Sequence, residues 1–229
     1  MANTSEVLKK WGLWLEAWVV PPVCVHCAKR RWGGLPLCRP CLRLLRAALI
    51  WDDEVLSQPG LHALFRMSPP LLSLIHGFKY SHYRRHIRFL CAYLRYRPAF
   101  VEALGKPDVL IPVPLHSARL RERGYNQAEL IAEEMGRRYV LPVMSNALKR
   151  IRFTSTQTKL DAEERTRNLV GAFRCSDAVA GKKVVLVDDV CTTGSTLGQC
   201  QQELIKAGAA RVDAFVLGWV EREDSINRR

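Results

Sequence analysis

Apolar and polar positions change their period several times along the chain, and each change marks an element. Leu8, Trp11, Leu15 and Trp18 recur at helical spacing and share one face of an amphipathic helix ahead of the break at Pro21-Pro22. Asp108–Val113 (DVLIPV) is an apolar, β-branched run that predicts a strand. The spacing then predicts a helix over 117–138, with Leu130, Ile131, Met135 and Tyr139 recurring on one side. Val184–Val187 (VVLV) is continuously apolar, as a strand covered on both faces must be. Ser195–Ala207 reads as a helix with Leu197, Cys200 or Gln201, Leu204 and Ala207 on one face. Gly208 ends it, and Val212–Val220 predicts a third strand. Strand, helix and strand in this order imply right-handed crossovers and a parallel sheet, so the fold class is α/β, a parallel sheet flanked by helices.

Composition narrows the picture. At 229 residues, with 48% apolar and 25% charged side chains, the chain falls outside the disordered, collagenous and coiled-coil classes. It is long enough to bury a core without disulfides. Lys and Arg total 35 against 22 Asp and Glu, a formal charge of +13. Most of that excess lies in residues 76–152, with 15 basic and 6 acidic side chains. A polyanionic partner (nucleic acid, a phosphate-rich ligand or an anionic membrane surface) would explain it, and so would a solvated helical face. Lys79, Tyr80, Arg84, Arg85 and Arg88 form the candidate nucleic-acid patch. The interleaved Phe78, Tyr83, Phe89, Tyr93 and Tyr96 could stack bases, although the last four also fit one face of a packed helix.

Lys9 and Lys10 precede the apolar stretch Trp11–Val20, but Glu16 interrupts it and no small-residue cleavage site follows. The stretch is also shorter than the roughly 20 apolar residues a membrane span needs. We therefore expect a soluble, cytoplasmic protein with no transmembrane segment, its first helix packed on the body. The expected organisation is a helix at 1–20, a cysteine-bearing module at 21–50, the main domain at 51–222 and a tail at 223–229.

Cys24, Cys27, Cys38 and Cys41 form C-x2-C-x10-C-x2-C. Two residues between cysteines let both thiolates of a knuckle reach one ion, and a second knuckle completes a tetrahedral zinc site. So small a segment cannot hold itself together by burial, so metal would supply its folding energy. Gly33-Gly34 and Pro36 suit the turn between knuckles. A redox CxxC expects one pair rather than two. With four thiolates available, His26 reads as a bystander. Lys29, Arg30, Arg31, Arg39 and Arg43 add local positive charge.

The run VVLVDDVCTTGST at 184–196 places two carboxylates, Asp188 and Asp189, at the end of a buried strand. A small, hydroxyl-rich loop follows and then a helix begins. A helix N-terminus offers backbone N–H groups and a positive dipole end to phosphate. Thr192, Thr193, Ser195 and Thr196 can add hydroxyl donors, and Gly194 admits close approach. The carboxylates are placed to accept hydrogen bonds from sugar hydroxyls or to hold a cation-bound water. Ligands of open α/β sheets bind at such strand ends. The chain contains no Gly-x4-Gly-Lys-Ser/Thr loop.

This run resembles the phosphoribosyl pyrophosphate (PRPP) signature of type I phosphoribosyltransferases: four hydrophobic residues, two acidic ones, then a TGxT-like loop. Together with the four-cysteine module it resembles the ComF family of competence protein F, ComFC and GntX-like proteins. Supporting stretches are HGFKY at 76–80, PVPLHSARLRERGYNQAELIA at 112–132 and QTKLDAEERTRNLVGAF at 157–173. The resemblance implies a type I phosphoribosyltransferase-like sheet. It implies that Asp188 and Asp189, the catalytic pair if the protein is an enzyme, bind the ribose hydroxyls. The PRPP loop would comprise Asp188, Asp189, Val190, Cys191, Thr192, Thr193, Gly194, Ser195 and Thr196. Val113, Pro114, Leu115 and His116 match the pyrophosphate loop, with Arg119, Arg121 and Arg123 beyond it as neutralising charges or as a solvated face. The 153–171 segment would be a flap, with Lys159, Arg165 or Arg167 touching the ligand. Mg2+ would accompany pyrophosphate.

No residue stands out as a general base or as a reader of a nucleobase; His116 and Glu129 are placed for it but read better as structural. Two functions follow. One is a competence or DNA-uptake factor that handles single-stranded DNA, meets DNA-uptake machinery proteins and binds PRPP. The alternative is an active phosphoribosyltransferase of nucleotide salvage or synthesis.

Overall fold

The computed structural model describes residues 22–31, 33–51, 56, 59–77, 83–97, 100–152 and 171–221. The expected helix at 1–20 and tail at 223–229 lie outside the described residues, as do Lys79, Tyr80, Lys159, Arg165 and Arg167. Among the described residues there are six strands: β1 (Leu61–Arg66), β2 (Val109–Pro112), β3 (Leu148–Arg150), β4 (Phe173–Cys175), β5 (Lys183–Cys191) and β6 (Arg211–Trp219). The helices are α1 (Arg39–Ala47), α2 (Pro69–His76), α3 (Tyr83–Cys91), the short α4 (Phe100–Ala103), α5 (Ser117–Arg123), α6 (Gln127–Tyr139) and α7 (Ser195–Lys206).

Four strands make one parallel sheet in the order β1–β6–β5–β2, and β3 pairs antiparallel with β4 as a separate ribbon. The VVLV run is buried throughout because helices cover both faces. Val184 and Leu186 join Leu197, Cys200 and Leu204 of α7 on one side. Val185 and Val187 join Leu130, Ile131 and Met135 of α6 on the other. Each such aliphatic side chain contributes about 1.5–3 kcal/mol by leaving water, so β5 is firmly anchored. The two carboxylates it carries are therefore held on a rigid support.

Two expectations are corrected. The sheet has a fourth strand, β1, aligned with β6 from Leu61↔Ala214 to Arg66↔Trp219. Its sequence LHALFR has no clean period of two, because Ala63, Leu64 and Phe65 are consecutively buried. The helix expected over 117–138 is two helices. Gly124, at φ 75°, ends α5 by donating its N–H to the Leu120 carbonyl at 2.8 Å. Asn126 then starts α6 by accepting from the Ala128 N–H at 3.1 Å.

The cysteine segment is part of the main core. Cys24, Leu37, Cys41 and Leu45 share one buried cluster with Leu64, Phe65, Leu71 and Leu74. Metal alone was expected to hold this segment; packing of α1 against α2 and β1 supplies burial that the short local sequence could not reveal. Among the described residues no helix is long and apolar enough to cross a membrane.

Candidate functional site

Asp188 and Asp189 lie on β5, which runs on to Cys191 opposite Trp219 instead of ending before them. Asp188 Oδ1 accepts a 2.8 Å hydrogen bond from the Asp189 backbone N–H. Burial, and after it the charge of Asp189, holds the Asp188 carboxyl well above the usual carboxylate range. Burial also raises Asp189, against the opposing effects of a hydrogen bond with Asp188 and the charge of Arg123. Burial thus disfavours the charged form of both carboxyl groups. A cation or a set of sugar hydroxyls can offset that cost. Val190 is half-buried and Cys191 buried, both packed into the core, so these two residues of the expected loop present mainly backbone to a ligand.

The loop then turns into α7. Gly194 is the N-cap at φ 76°, a conformation that favours glycine. Because the cap has no side chain, it makes no capping hydrogen bond of its own. Thr193 Oγ1 lies 3.0 Å from Ser195 Oγ and accepts from the Ser195 N–H at 3.4 Å, which sets the curvature of the loop. Thr192 is exposed; Thr193, Ser195 and Thr196 are half-buried. Leu197, Cys200 and Leu204 anchor the helix beneath.

The turn after β2 approaches from the neighbouring strand. Val113 is buried and donates its N–H to the Val187 carbonyl at 2.9 Å, while Pro114, Leu115 and His116 are half-buried. His116 Nδ1 accepts from the Ala118 N–H at 3.2 Å and caps α5, a structural role in keeping with its reading as such. Asn126 Nδ2 donates to the Val113 carbonyl at 3.0 Å and so ties the start of α6 to this turn.

Arg119 and Arg123, four residues apart on α5, share a helix face and are half-buried, whereas Arg121 is exposed. Arg123 acts on Asp189, and Arg119 acts on Arg150 of β3. Burial, then the charge of Arg119, lowers the proton affinity of Arg150, while Asp188 opposes that effect. Its guanidinium sits 5.5 Å from the Phe173 ring centre on the paired strand. Arg150 and Asn126 were missed from sequence. An Asn directly before the apolar period of α6 is a readable cap, and LKRIR is a basic strand just ahead of the expected flap.

At the other end of the chain, the sulfur atoms of Cys24, Cys27, Cys38 and Cys41 lie within 4.8 Å of one another, with Cys27 and Cys38 only 3.6 Å apart. Burial pushes the Cys24 thiol up, but backbone hydrogen bonds from Cys27, Cys38 and His26 outweigh it and bring it down to about 6. Cys41 is raised by burial and by its sulfur neighbours. His26 Nδ1 contacts Ser73 Oγ at 2.9 Å.

The expected basic patch is partly used by the fold. Arg85 donates to the Gly34 carbonyl. Arg88 Nε pairs with Glu134 Oε1 at 3.0 Å, and Arg137 reaches the same oxygen at 2.7 Å. Arg84 is exposed. Tyr93 is buried, its ring edge-on to Phe65 at 5.3 Å and to Phe89 at 5.7 Å, so Phe89 and Tyr93 both serve packing. Tyr96 remains 41% exposed beside Arg95. Phe78 and the side chain of Tyr83 lie outside the described residues.

Residues 102–222, which carry β2, β5 and the loop, match the phosphoribosyl transferase domain family. The DNA utilization protein YhgH of Salmonella typhi is 33% identical over 222 residues, covering 92% of this chain and 94% of that protein. Competence protein F of Haemophilus influenzae is 34% identical over 204 residues, 86% of this chain and 84% of its own length. The chain belongs to the ComF family. The match to competence protein ComFC of Bacillus subtilis, 35% identical over 114 residues, covers 49% of this chain and 45% of that one. In this ComF-family chain the phosphoribosyltransferase-like domain and the four-cysteine cluster are both present, and the two sites lie on different parts of the fold.

Proposed function

We propose that this chain is a competence or DNA-utilisation protein that handles single-stranded DNA and binds PRPP or a related ribose phosphate at the end of β5. The observation that supports it is a side-chain-free helix cap, Gly194, one short loop beyond two adjacent carboxyl groups whose charged forms burial disfavours. The first turn of α7 would hold the 5-phosphate through backbone N–H groups and the hydroxyls of Thr192, Thr193, Ser195 and Thr196. Asp188 and Asp189 would accept hydrogen bonds from the ribose hydroxyls. Arg119, Arg123 and Arg150 would balance the pyrophosphate charge, and Lys159, Arg165 and Arg167 would act from the flap. Mg2+ bound with pyrophosphate would neutralise its oxygens.

The four sulfurs fit a structural zinc ion. Tetrahedral coordination at about 2.3 Å per bond places sulfurs about 3.8 Å apart, in line with the cluster here. Cys24, Cys27, Cys38 and Cys41 would be its ligands, and zinc would lock the two knuckles together. DNA, rather than an acceptor nucleobase, is favoured by the relatives, which are named for competence and DNA utilisation.

Calorimetric titration with PRPP and Mg2+ tests the ribose-phosphate site. Binding heat is expected for the natural chain and its loss for Asp188→Ala with Asp189→Ala. No heat with the natural chain removes the ligand assignment. Sustained pyrophosphate release in the presence of a base or amine would establish the transferase alternative.

A further inference from the structure

Arg31 of the cysteine segment and Arg85 of α3 meet on a single turn. Arg31 donates from Nη1 to the Gly33 carbonyl at 2.7 Å and from Nε to the Val23 carbonyl at 3.0 Å. Arg85 donates from Nη2 to the next carbonyl, that of Gly34. The two guanidiniums thus hold successive carbonyls of this turn, at the seam between the cysteine segment and α3. They are close enough that the charge of Arg85, second only to burial, lowers the proton affinity of Arg31. Among the described residues neither one forms an ion pair with a carboxylate.

Like charges about 4 Å apart in water repel by about 1 kcal/mol, and a bridging anion relieves such repulsion between neighbouring guanidiniums. Donors for one remain. A guanidinium carries five N–H groups, and these contacts leave Nη2 of Arg31 and both Nε and Nη1 of Arg85. Lys29, Arg30 and Arg84 are exposed on the flanking stretches of chain. Paired planar forks match phosphate oxygens better than single ammonium groups do.

We propose that this seam between the cysteine segment and α3 grips the backbone of single-stranded nucleic acid, with Arg31 and Arg85 sharing one phosphate. The proposal rests on the nucleic-acid part of the reading above and gives it a location. It also gives the cysteine cluster a task beyond stapling, because the cluster fixes the turn on which both arginines close. A phosphate at the seam takes up donors on both elements at once.

The test is fluorescence anisotropy of a fluorescein-labelled oligothymidylate of about 20 nucleotides, titrated with the full chain over a series of salt concentrations. The natural chain should show log affinity falling linearly with log salt. Arg31→Gln with Arg85→Gln should bind about tenfold more weakly, with a slope shallower by about 0.7, the share of one phosphate on a single strand. Arg137→Gln with Arg138→Gln removes the same charge from exposed positions on α6 and should leave the slope unchanged. Equal losses in both double variants, or none in the first, overturn the seam while leaving nucleic-acid binding intact. No binding by the natural chain overturns the nucleic-acid reading and the seam together. Zinc content and thermal midpoint are measured on the same samples, since Arg31 also feels the charge of Cys24. Loss of metal in step with loss of affinity assigns the arginines to support of the cluster and overturns the phosphate role. So does loss of sedimentation with phosphatidylglycerol vesicles when oligonucleotide binding is unchanged.

Discussion

Asp188 sits where the fold disfavours its charge, a cost set by its surroundings. Burial and the neighbouring carboxyl both raise its proton affinity in the folded state. Protonation therefore favours folding, and stability is lost as pH rises from the unfolded carboxylate range through the raised folded value. Asp188→Asn keeps an oxygen to accept from the Asp189 N–H and removes the repulsion. Near neutral pH it should raise the thermal midpoint by roughly 2–4 °C while weakening PRPP affinity. As the pH falls through the raised folded value the natural chain takes up its proton and the difference should shrink. A midpoint that is unchanged or lowered at neutral pH would show that the pair is not strained. The pair and its loop were legible in the sequence because all their parts lie within a few residues. Arg150 was not legible, because only the pairing of β3 with β4 and their packing bring it into reach of Asp188.

At the level of elements, α6 is held closer to β2 than its sequence suggests. A Cβ on Gly136 would stand 2.8 Å from the Leu141 carbonyl oxygen and 2.9 Å from Val143 Cγ2. That oxygen cannot easily yield, since Leu141 donates to the Gly136 carbonyl at 3.0 Å. The stretch after it is stitched to Leu110 by two more backbone bonds, Leu110 N–H to Pro142 O and Met144 N–H to Leu110 O. Replacing Gly by Ala in a helix interior is favourable by about 1 kcal/mol, whereas overpacking typically costs about 1–3 kcal/mol. With backbone as the obstacle the second effect wins. Gly136→Ala should lower the urea midpoint by the equivalent of about 1–2 kcal/mol with an unchanged slope; a stabilised variant would refute this account of the contact. The break between α5 and α6 makes the same point from the other side. Gly124 and Asn126 together turn one expected helix into two, and that break orients Arg119 and Arg123 and lets Asn126 hold the turn after β2.

For the whole molecule, the cysteine segment and the sheet share one core. Cys24, Cys41 and Leu45 are buried with Leu64, Phe65 and Leu71, so loss of the cluster loosens the β1 edge of the sheet as well. Purified chain should carry about one equivalent of zinc. A strong chelator should shift the main calorimetric unfolding transition to lower temperature. A chelator-sensitive early transition followed by an unchanged main one would show two independent units instead. This coupling also bears on the seam, because Arg31 and Arg85 belong to segments that the shared core holds together.

What the sequence by itself determined is whatever a single ion or phosphate needs within one short stretch. The knuckle spacing, the twin carboxylates with their loop, and the β5 and α7 patterns are local because coordination and capping act over a few residues. Tertiary structure alone decided which distant segments meet. The place of β1 at the sheet edge, the approach of Arg150 to Asp188, and the meeting of Arg31 with Arg85 all depend on packing between elements. The charges were countable from the start; which of them share a surface is settled only when buried faces choose their partners.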